Sequence, residues 1–356
     1  MPRPIRATVS AQALRHNLGV ARRHAGPAKV WAVIKANAYG HGLLRAAKAL
    51  EAADGFALLD LIDALKLRAA GVKKPILLLE GFFQPKDLPL LEKYALTPVI
   101  HAVEQIEMMK SVDLGGQIDA WLKVNSGMNR LGFVMDNINH GWNTLSEDPQ
   151  VRTVTLMTHF ADADGPSGVR AQLDWFDELT HSFTAPRSTA NSAALLRYPE
   201  ESRFDAVRPG IMLYGASPFA DQSAEALGLQ PAMTLSSEIV GVQTLRAGER
   251  VGYGFTYESA GKMRIGVVAC GYADGYPRHA PTGTPVLVDG QRSRVIGRVS
   301  MDLLCVDITD LPEAGVGTKV TLWGEGLPAD EVAVQAGTIS YELLAALAPR
   351  VPVFEA

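Results

Sequence analysis

An alternation of short apolar runs with amphipathic, helix-like stretches over the first two thirds of the chain constrains the fold most. Helical patterns such as 43–52 and 60–70 lie between the runs, and Ser10 is a suitable N-cap for a helix before the first run. About eight such alternations are what a parallel (β/α)8 barrel needs, although a doubly wound open sheet gives a similar pattern. The apolar runs cover residues 30–34, 55–59, 75–80, 97–101, 119–124, 153–158, 188–191 and 206–213.

The last third of the chain has a different pattern, in which strand-like runs rich in Val, Ile and Thr are separated by Gly and Asp turns. This pattern predicts a mostly antiparallel β domain with a short helical end at 331–347. A segment of small and polar residues at 216–231 is the candidate linker. We therefore predict a barrel domain over 1–231 and a β domain over 232–356. The runs of the second domain cover residues 233–245, 262–270, 284–288, 294–308 and 319–323.

Composition and charge exclude several classes of protein. The 356 residues are enough for two domains, and 47% hydrophobic residues allow a large core. A net charge of -4 excludes a strongly basic surface for nucleic acid. The two cysteines, Cys270 and Cys305, offer neither a disulfide framework nor metal-ligand spacing, so we expect no metal. Because we find no signal-peptide core and no run long enough to cross a bilayer, we expect a cytoplasmic protein without a membrane partner.

Lys35 follows the first apolar run directly, at the position where barrel enzymes carry their catalytic groups. Desolvation at such a position lowers the pKa of a lysine amine and makes it available for a Schiff base. A strand-end lysine that merely reaches solvent is the commoner case. The loop that follows, however, contains two glycines, an asparagine and Tyr39, which suits a phosphate neighbour better than a plain turn.

A second marked segment contains Arg208 and Gly210. Gly210 lets backbone amides approach an anion closely, and Arg208 could reach a ring nitrogen of a cofactor. Asn191 and Ser192 stand between a strand and a helix, which is a natural seat for a phosphate. Each signal is weak by itself, because Pro-Gly turns with a solvated arginine and Asn-Ser helix caps are both common.

Three further residues are candidates with plain structural alternatives. Lys123 lies inside an apolar run, where an unpaired charge is costly. Its candidate partner is Arg130, but two cations need an anion between them, and an outward-facing Lys123 fits the sequence equally well. His159 ends another apolar run, where a lone histidine is more often structural than a base. Tyr253 stands between two glycines, a pattern that usually marks a turn with a packed ring.

Taken together, these segments resemble the alanine racemases over essentially the whole chain. The segment 33–42, Val-Ile-Lys-Ala-Asn-Ala-Tyr-Gly-His-Gly, is similar to that family's cofactor-attachment motif, and the other motifs follow in the family's order. The stretch 271–290 resembles the bacterial catabolic branch in particular. The resemblance implies a (β/α)8 barrel followed by a β domain, pyridoxal 5'-phosphate (PLP) in the barrel mouth, and a homodimer with shared active sites.

The resemblance also implies roles for individual residues. Lys35 matches the lysine that holds the cofactor and acts on the D isomer, and Tyr253 matches the base that the partner subunit contributes for the L isomer. Arg208 matches the arginine that faces the pyridine nitrogen, and His159 the histidine beside the ring. Asn191, which stands directly before Ser192, is a further cofactor-binding candidate. The residues matched to phosphate contacts are Tyr39, Ser192, Gly210, Ile211 and Tyr341.

The substrate side of the site is implied in the same way. Arg130 and the backbone N–H of Met301 match groups that meet the substrate carboxylate. Lys123 matches a lysine that is often carbamylated, which would supply the anion missing beside Arg130. The residues matched to the substrate entrance are Tyr272, Arg278 and Arg298.

The expected reaction is the interconversion of L- and D-alanine, which supplies D-alanine for peptidoglycan or degrades it. Tyr253, Tyr272 and Tyr341 are expected to crowd the side-chain pocket, so that alanine fits and large side chains do not. The alternatives are a racemase of another small amino acid such as serine, a non-catalytic PLP carrier and a fold-related decarboxylase. The carrier would lack the β domain, and the decarboxylase would place an acid where this chain has Arg208. The segment 136–148 carries no motif and no assigned role.

Overall fold

The computed structural model describes residues 3–356 and begins with one strand and one helix. β1 (Arg6–Val9) leads into α1 (Ala11–Ala25), and Ser10 caps α1 as predicted. The Ser10 hydroxyl accepts a hydrogen bond from the backbone N–H of Ala13 at 3.1 Å. A cap of this kind stabilises a helix by about 1 kcal/mol.

Eight parallel strands close into a barrel, which confirms the predicted architecture and excludes the open sheet. Closure is completed where the last strand pairs with the first, Lys29 opposite Ala206 and Val30 opposite Val207. The strands are buried and lie close to the predicted runs, so the apolar runs did identify the barrel wall. The barrel strands are β2 (Lys29–Val33), β3 (Gly55–Leu58), β4 (Ile76–Leu78), β5 (Leu96–Ile100), β6 (Ile118–Lys123), β7 (Val151–Met157), β8 (Arg187–Ser188) and β9 (Ala206–Val207).

Helices connect most of the barrel strands. The segment without a motif, 136–148, forms one of them. The eighth run is shorter than predicted: β9 ends at Val207, because Pro209 and Gly210 interrupt it, and Ile211–Tyr214 form a 3-10 turn. The helices up to the linker are α2 (Leu43–Ala49), α3 (Leu61–Ala69), α4 (Leu88–Lys93), α5 (Val103–Lys110), α6 (Ile138–Glu147), α7 (Arg170–Thr180), α8 (Ser192–Arg197) and α9 (Pro199–Ser202).

The C-terminal part is a β domain, mostly antiparallel as predicted. The predicted run 294–308 is two strands joined by a loop, and the predicted helical end at 331–347 is two short helices. The strands are β10 (Met233–Leu245), β11 (Arg250–Val251), β12 (Tyr257–Glu258), β13 (Met263–Val268), β14 (Pro285–Val288), β15 (Gln291–Ile296), β16 (Leu304–Asp307), β17 (Lys319–Trp323) and β18 (Val353–Glu355); the helices are α10 (Ala329–Gln335) and α11 (Ser340–Ala345).

Both ends of the chain join this second sheet. β1 pairs with β10 on one side and with β18 on the other, through Ala7 opposite Leu235 and Val353. The sequence did not predict β1, because four residues are too few to show a strand period. The first strand therefore belongs to the sheet of the β domain although it precedes the barrel.

A buried carboxylate ties the chain ends to a loop of the β domain. Asp274 is fully buried and accepts hydrogen bonds from Arg3 at 2.8 and 3.0 Å and from Arg350 at 2.7 Å. The backbone N–H of Gly271 donates a further bond at 3.0 Å. These partners hold the pKa of Asp274 low against the effect of burial, which alone would raise it. The turn that carries Tyr272 is thereby fixed to both termini.

No helix within residues 3–356 is both long and apolar enough to span a membrane.

Candidate active site

A cavity of about 350 Å³ opens at the carboxyl ends of the barrel strands, where barrel enzymes place their active sites. Lys35 follows β2, Lys123 ends β6, His159 follows β7 and Arg208 follows β9. The barrel thus brings together residues that are far apart in sequence. The candidate residues that line this one cavity are Lys35, Tyr39, Lys123, Arg130, His159, Asn191, Ser192, Arg208, Gly210, Ile211 and Tyr341.

Lys35 begins a turn with an unusual backbone. The four residues after it, Ala36 to Tyr39, all have left-handed φ angles between 51° and 54°. A left-handed conformation costs about 1–2 kcal/mol for each residue other than glycine, so this turn is maintained by its surroundings. It presents Lys35 and Tyr39, one at each end, to the same cavity.

The two lysines of the cavity share one electrostatic environment. Burial lowers the pKa of Lys35, with a smaller contribution from the charge of Arg130. Burial also lowers the pKa of Lys123 to about 8, again with Arg130 as the largest charged contributor. Lys123 is buried and lines the cavity, which decides between the inward and outward orientations that the sequence left open. Both amines are neutral more often than an exposed lysine.

Arg208 is fixed by backbone and hydroxyl oxygens. Its Nη1 donates to the Ser188 carbonyl at 2.8 Å and to the Ser188 hydroxyl at 2.5 Å, and its Nη2 donates to the carbonyls of Thr158 at 2.6 Å and Thr189 at 3.4 Å. Burial lowers the pKa of Arg208 to about 10, so the guanidinium stays charged at neutral pH. Among residues 3–356, Nε–H is the one N–H group of this side chain without a partner.

The seat expected for a phosphate is built from small residues. The Ser192 hydroxyl accepts hydrogen bonds from the backbone N–H groups of Gly210 at 2.8 Å and Met212 at 3.4 Å. A Cβ at Gly210 would lie 2.6 Å from the Tyr39 hydroxyl, so only glycine leaves this space open. Asn191 caps α8 through a bond from the Ala194 N–H at 2.9 Å, which is the structural role weighed for it, while it also lines the cavity.

His159 stands on the cavity wall among cations. Burial and the charge of Arg208, followed by those of Lys123 and Arg130, lower the pKa of His159 to about 3. The ring is therefore neutral at neutral pH. A neutral imidazole can pack flat against a ring or accept a hydrogen bond, but it adds no charge to the site.

The candidate residues of the β domain lie elsewhere. Tyr253 is 70% exposed and Met301 is 53% exposed, and the side chains of Tyr272, Arg278 and Arg298 are exposed too. None of these five residues lines the cavity of its own chain. The structure therefore brings the predicted cofactor-binding residues together within one chain. Tyr253, Met301 and the predicted entrance residues lie on the surface of that chain.

Two features of the site were missed in the sequence. Glu80, after β4, is the single carboxylate among the described residues that line the cavity, and its charge favours protonation of Lys35 and Lys123. Its position at the end of the predicted run 75–80 was the available signal. The Ser188 hydroxyl, which orients Arg208, gave no such signal because its partner is 20 residues away.

Comparisons with known proteins match the whole chain to one family. The family model for the alanine racemase N-terminal domain matches residues 9–218, and the model for the alanine racemase C-terminal domain matches residues 232–354. The chain belongs to the alanine racemase family. An alanine racemase from Paraburkholderia phytofirmans is 55% identical over 354 residues, which cover 99% of both chains.

Solved structures of the family have the same fold. The biosynthetic alanine racemase from Pseudomonas aeruginosa superimposes with a TM-score of 0.97 at 47% identity, covering 99% of each chain. The alanine racemase from Acinetobacter baumannii superimposes with a TM-score of 0.92 at 38% identity, covering 99% of this chain and all of the other. The predicted likeness to the catabolic branch stays a prediction.

The alanine racemase family uses PLP, and the residues present fit this cofactor. Four cationic side chains line the cavity against one carboxylate, so an anionic ligand is needed to balance them. The hydroxyls of Tyr39 and Ser192 beside Gly210 suit a phosphate, and the amine of Lys35 suits an aldehyde. Among residues 3–356, no group of three or more His, Cys, Asp or Glu side chains could hold a metal ion.

Proposed function

We propose that this protein interconverts L- and D-alanine with PLP bound in the barrel cavity, and that Lys35 carries the cofactor. The observation that supports this most is the meeting, in one cavity, of a lysine with a lowered pKa, a fixed guanidinium and a wall formed by Ser192, Gly210 and Ile211. In one direction the reaction supplies D-alanine for peptidoglycan, and in the other it removes D-alanine.

Racemisation requires one base on each face of the α carbon. Bound PLP withdraws electrons from the α carbon and makes its proton acidic enough to remove. Lys35 Nζ takes or returns the proton on the face that belongs to D-alanine, and its lowered pKa keeps it available as a base. Tyr253 serves the L-alanine face, with its hydroxyl supplied from the partner subunit.

Arg208 controls where the proton returns. Its four terminal N–H groups are bound to oxygens of Ser188, Thr158 and Thr189, which leaves Nε–H to donate to the pyridine nitrogen. A guanidinium does not give up its proton, so Arg208 would hold bound PLP through an unprotonated ring nitrogen. Such a ring would withdraw fewer electrons, which would favour return of the proton to the α carbon over side reactions.

The substrate carboxylate is assigned to Arg130 and to the backbone N–H of Met301. Arg130 lies at the open rim of the cavity, and Lys123 lies deeper in it. Because the Lys123 amine has a pKa of about 8, it is neutral often enough to react with carbon dioxide. The resulting carbamate would be an anion beside Arg130, and we propose this modification for Lys123.

A homodimer would complete the site. Large apolar side chains are exposed on the loops that carry the candidate residues of the β domain, including Phe255 at 64% and Leu303 at 41%. We define the Tyr253 patch as Tyr253, Phe255, Tyr272, Met301 and Leu303. Exposed apolar patches of this kind mark protein interfaces. We propose that a second copy of the chain covers this patch. In the resulting dimer, Tyr253 of each chain would lie at the cavity of the other.

The alternatives differ in testable ways. A non-catalytic carrier would be a lone barrel, whereas residues 232–354 of this chain match the family's C-terminal domain. A racemase for serine would share every feature described, so substrate comparison has to separate it from an alanine enzyme. Tyr253, Tyr272 and Tyr341 are expected to restrict the pocket, so kcat/KM for lysine and arginine should be negligible beside that for alanine.

The decisive experiment combines a chiral assay with a test of cofactor attachment. Purified protein with PLP should form D-alanine from L-alanine, show the absorbance of a lysine imine, and lose both after borohydride reduction. Lys35→Ala should abolish the absorbance, while Lys29→Ala, an exposed lysine at the start of β2, should change nothing. Racemase activity that persists in Lys35→Ala would refute the proposal.

We also propose that the protein resides in the cytoplasm. Both cysteines carry free thiols, and Cys270 is buried while Cys305 is half-buried. Free thiols of this kind are typical of a reducing compartment.

A further inference from the structure

His41 belongs to the motif after Lys35, yet none of the proposed functions uses it. It is completely buried and does not line the cavity. It lies two residues after Tyr39, just beyond the left-handed turn. A buried, polar side chain at such a place requires an explanation, because burying an imidazole costs free energy unless its nitrogens are bonded.

The bonds of His41 go to the turn itself. Its Nδ1 lies 2.8 Å from the carbonyl oxygen of Tyr39 and 3.1 Å from that of Ala38. Both oxygens can only accept, so Nδ1 carries the hydrogen and donates it. Burial keeps the pKa of His41 near 4, so the ring is neutral and Nε2 is bare. Nε2 has no hydrogen-bond partner among the described residues.

Aromatic packing connects the same ring to the end of β2. The ring centroids of His41 and Tyr214 are 4.6 Å apart, and those of Tyr39 and Tyr214 are also 4.6 Å apart. The Tyr214 hydroxyl donates to the carbonyl of Val33 at 2.8 Å. His41 and Tyr39 therefore both pack on one tyrosine that is bonded to the strand just before Lys35.

Other contacts close the turn from its far side. The Asn37 side chain accepts a hydrogen bond from the Leu43 N–H at 2.9 Å, and Arg45 donates to the His41 carbonyl at 2.7 Å. A Cβ at Gly40 would lie 2.1 Å from the carbonyl oxygen of Leu344, so the turn also abuts the helix that carries Tyr341. Inside the left-handed run, backbone N–H groups bond to the carbonyls of Ala36, Asn37 and Ala38, and the His41 ring adds a side-chain donor to the carbonyls of Ala38 and Tyr39.

We propose that His41 is a positioning residue that holds the left-handed turn, so that Lys35 and Tyr39 face the same cavity. The inference rests on the proposed function, since PLP is the ligand that both ends of the turn would hold. Without the Nδ1 donor, the Tyr39 carbonyl loses its side-chain donor and the Ala38 carbonyl keeps only backbone N–H donors. The turn then loses side-chain bonds that help to offset its backbone cost. The consequence falls on cofactor binding, because Tyr39 and Lys35 then no longer point to one place.

Two substitutions test the Nδ1 hydrogen bonds of His41 and its aromatic packing separately. His41→Phe keeps an aromatic ring beside Tyr214 but removes the donor, and His41→Asn removes the ring but places an amide N–H near the position of Nδ1. We expect His41→Phe to weaken PLP binding to the apoprotein by about tenfold, the equivalent of one good hydrogen bond. We expect His41→Asn to bind PLP within about threefold of the native protein.

The measurement is titration of apoprotein with PLP, followed by absorbance. It is paired with borohydride reduction and mass mapping of the modified lysine, and with circular dichroism to establish that each variant is folded. His16→Phe is the matched control: His16 is exposed, its Nε2 meets the Gly228 carbonyl at 2.8 Å and it does not line the cavity, so PLP affinity should not change. At saturating PLP, KM for alanine should stay near the native value in both His41 variants.

The possible outcomes are distinct. Native affinity in folded His41→Phe, or equal weakening in His41→Asn and His41→Phe, would overturn the role of His41. If His41→Phe does not fold, Tyr214→Phe serves instead: it keeps the packing and removes the bond to Val33, and unchanged PLP affinity there would count against the proposal. Failure of the native protein to bind PLP at all would instead refute the proposed function.

Discussion

The barrel mouth and the Tyr253 patch differ in how complete they are within one chain. In the barrel mouth, Arg208 is 4% exposed and its terminal N–H groups all have partners, whereas Tyr253 in the β domain is 70% exposed. The first region is preorganised before any ligand binds. The second is a set of exposed side chains on the loops of the β domain. We infer from this difference that the proposed cofactor binding and the proposed second base can be lost independently of each other.

Removing one proposed base from each region tests most directly whether PLP attachment and racemisation can be lost separately. Lys35→Ala should lose both PLP attachment and racemisation, while Tyr253→Phe should keep PLP attachment and lose about 10³-fold in kcat, because a general base is missing on one face. Absorbance spectra and chiral assays on the two variants measure this. Loss of cofactor in Tyr253→Phe would mean that the two regions are not separable.

A second prediction tests whether the Tyr253 patch is an interface. Phe255→Asp should weaken dimer formation by about 30-fold or more, because a charge would be buried where an apolar ring packs. Phe255 has a left-handed φ of 50°, a conformation that aspartate tolerates, so the backbone should not change. Val316→Asp, at an equally exposed position of the β domain, is the control. Sedimentation at several concentrations measures the effect, and unchanged association in Phe255→Asp would contradict it.

The third prediction concerns pH and the barrel mouth. The folded-state pKa of His41 is about 4, below the ordinary value of 6.5, mainly through burial and also through the charge of Arg45. Its contribution is therefore present above pH 6.5 and is lost as pH falls towards 4, because the unfolded chain binds the proton more readily. Between pH 7.5 and 5 the apoprotein should lose about 2 kcal/mol of unfolding free energy through this group. Urea titrations of native protein and His41→Asn should differ by this amount, and equal pH dependence in both would refute it.

The smallest predicted effect concerns reaction partitioning at Arg208. Arg208→Glu should raise transamination relative to racemisation by about tenfold, since a carboxylate would let the pyridine nitrogen keep a proton. Arg208→Lys, which keeps the charge but not the fork of donors, is the comparison if the glutamate variant folds poorly. Single-turnover assays that follow both products measure the ratio. An unchanged ratio of transamination to racemisation would contradict the proposal that Arg208 Nε–H donates to the pyridine nitrogen.

The sequence predicted the barrel mouth better than it predicted the reasons for its geometry. Lys35, Lys123, His159 and Arg208 were found because each stands at or just after an apolar run, and a barrel brings such positions together. The left-handed turn was not predicted. It depends on bonds to His41 and on packing against a tyrosine that is about 170 residues distant, and neither contact leaves a local signal.

In the β domain, the sequence predicted the longer strands better than it predicted the candidate site residues. The longer strands, such as Met233–Leu245 and Lys319–Trp323, were predicted closely because they are rich in Val, Ile and Thr and are bounded by turn residues. The short strands β11, β12 and β18 were not predicted. β1 was missed because it is short and pairs with strands more than 200 residues away. The functional residues on its loops were identified from the family resemblance alone, since an exposed tyrosine between glycines has no local signature.

The central claim is that each active site is built from two chains, and mixing two inactive variants tests it most directly. Lys35→Ala and Tyr253→Phe proteins, unfolded together and refolded as a mixture, should form mixed dimers in which one site has both residues. About a quarter of native racemase activity should return, because half of the dimers are mixed and one of their two sites is intact. If the mixture stays as inactive as each variant alone, although mixed dimers are detected, Tyr253 does not act across the interface.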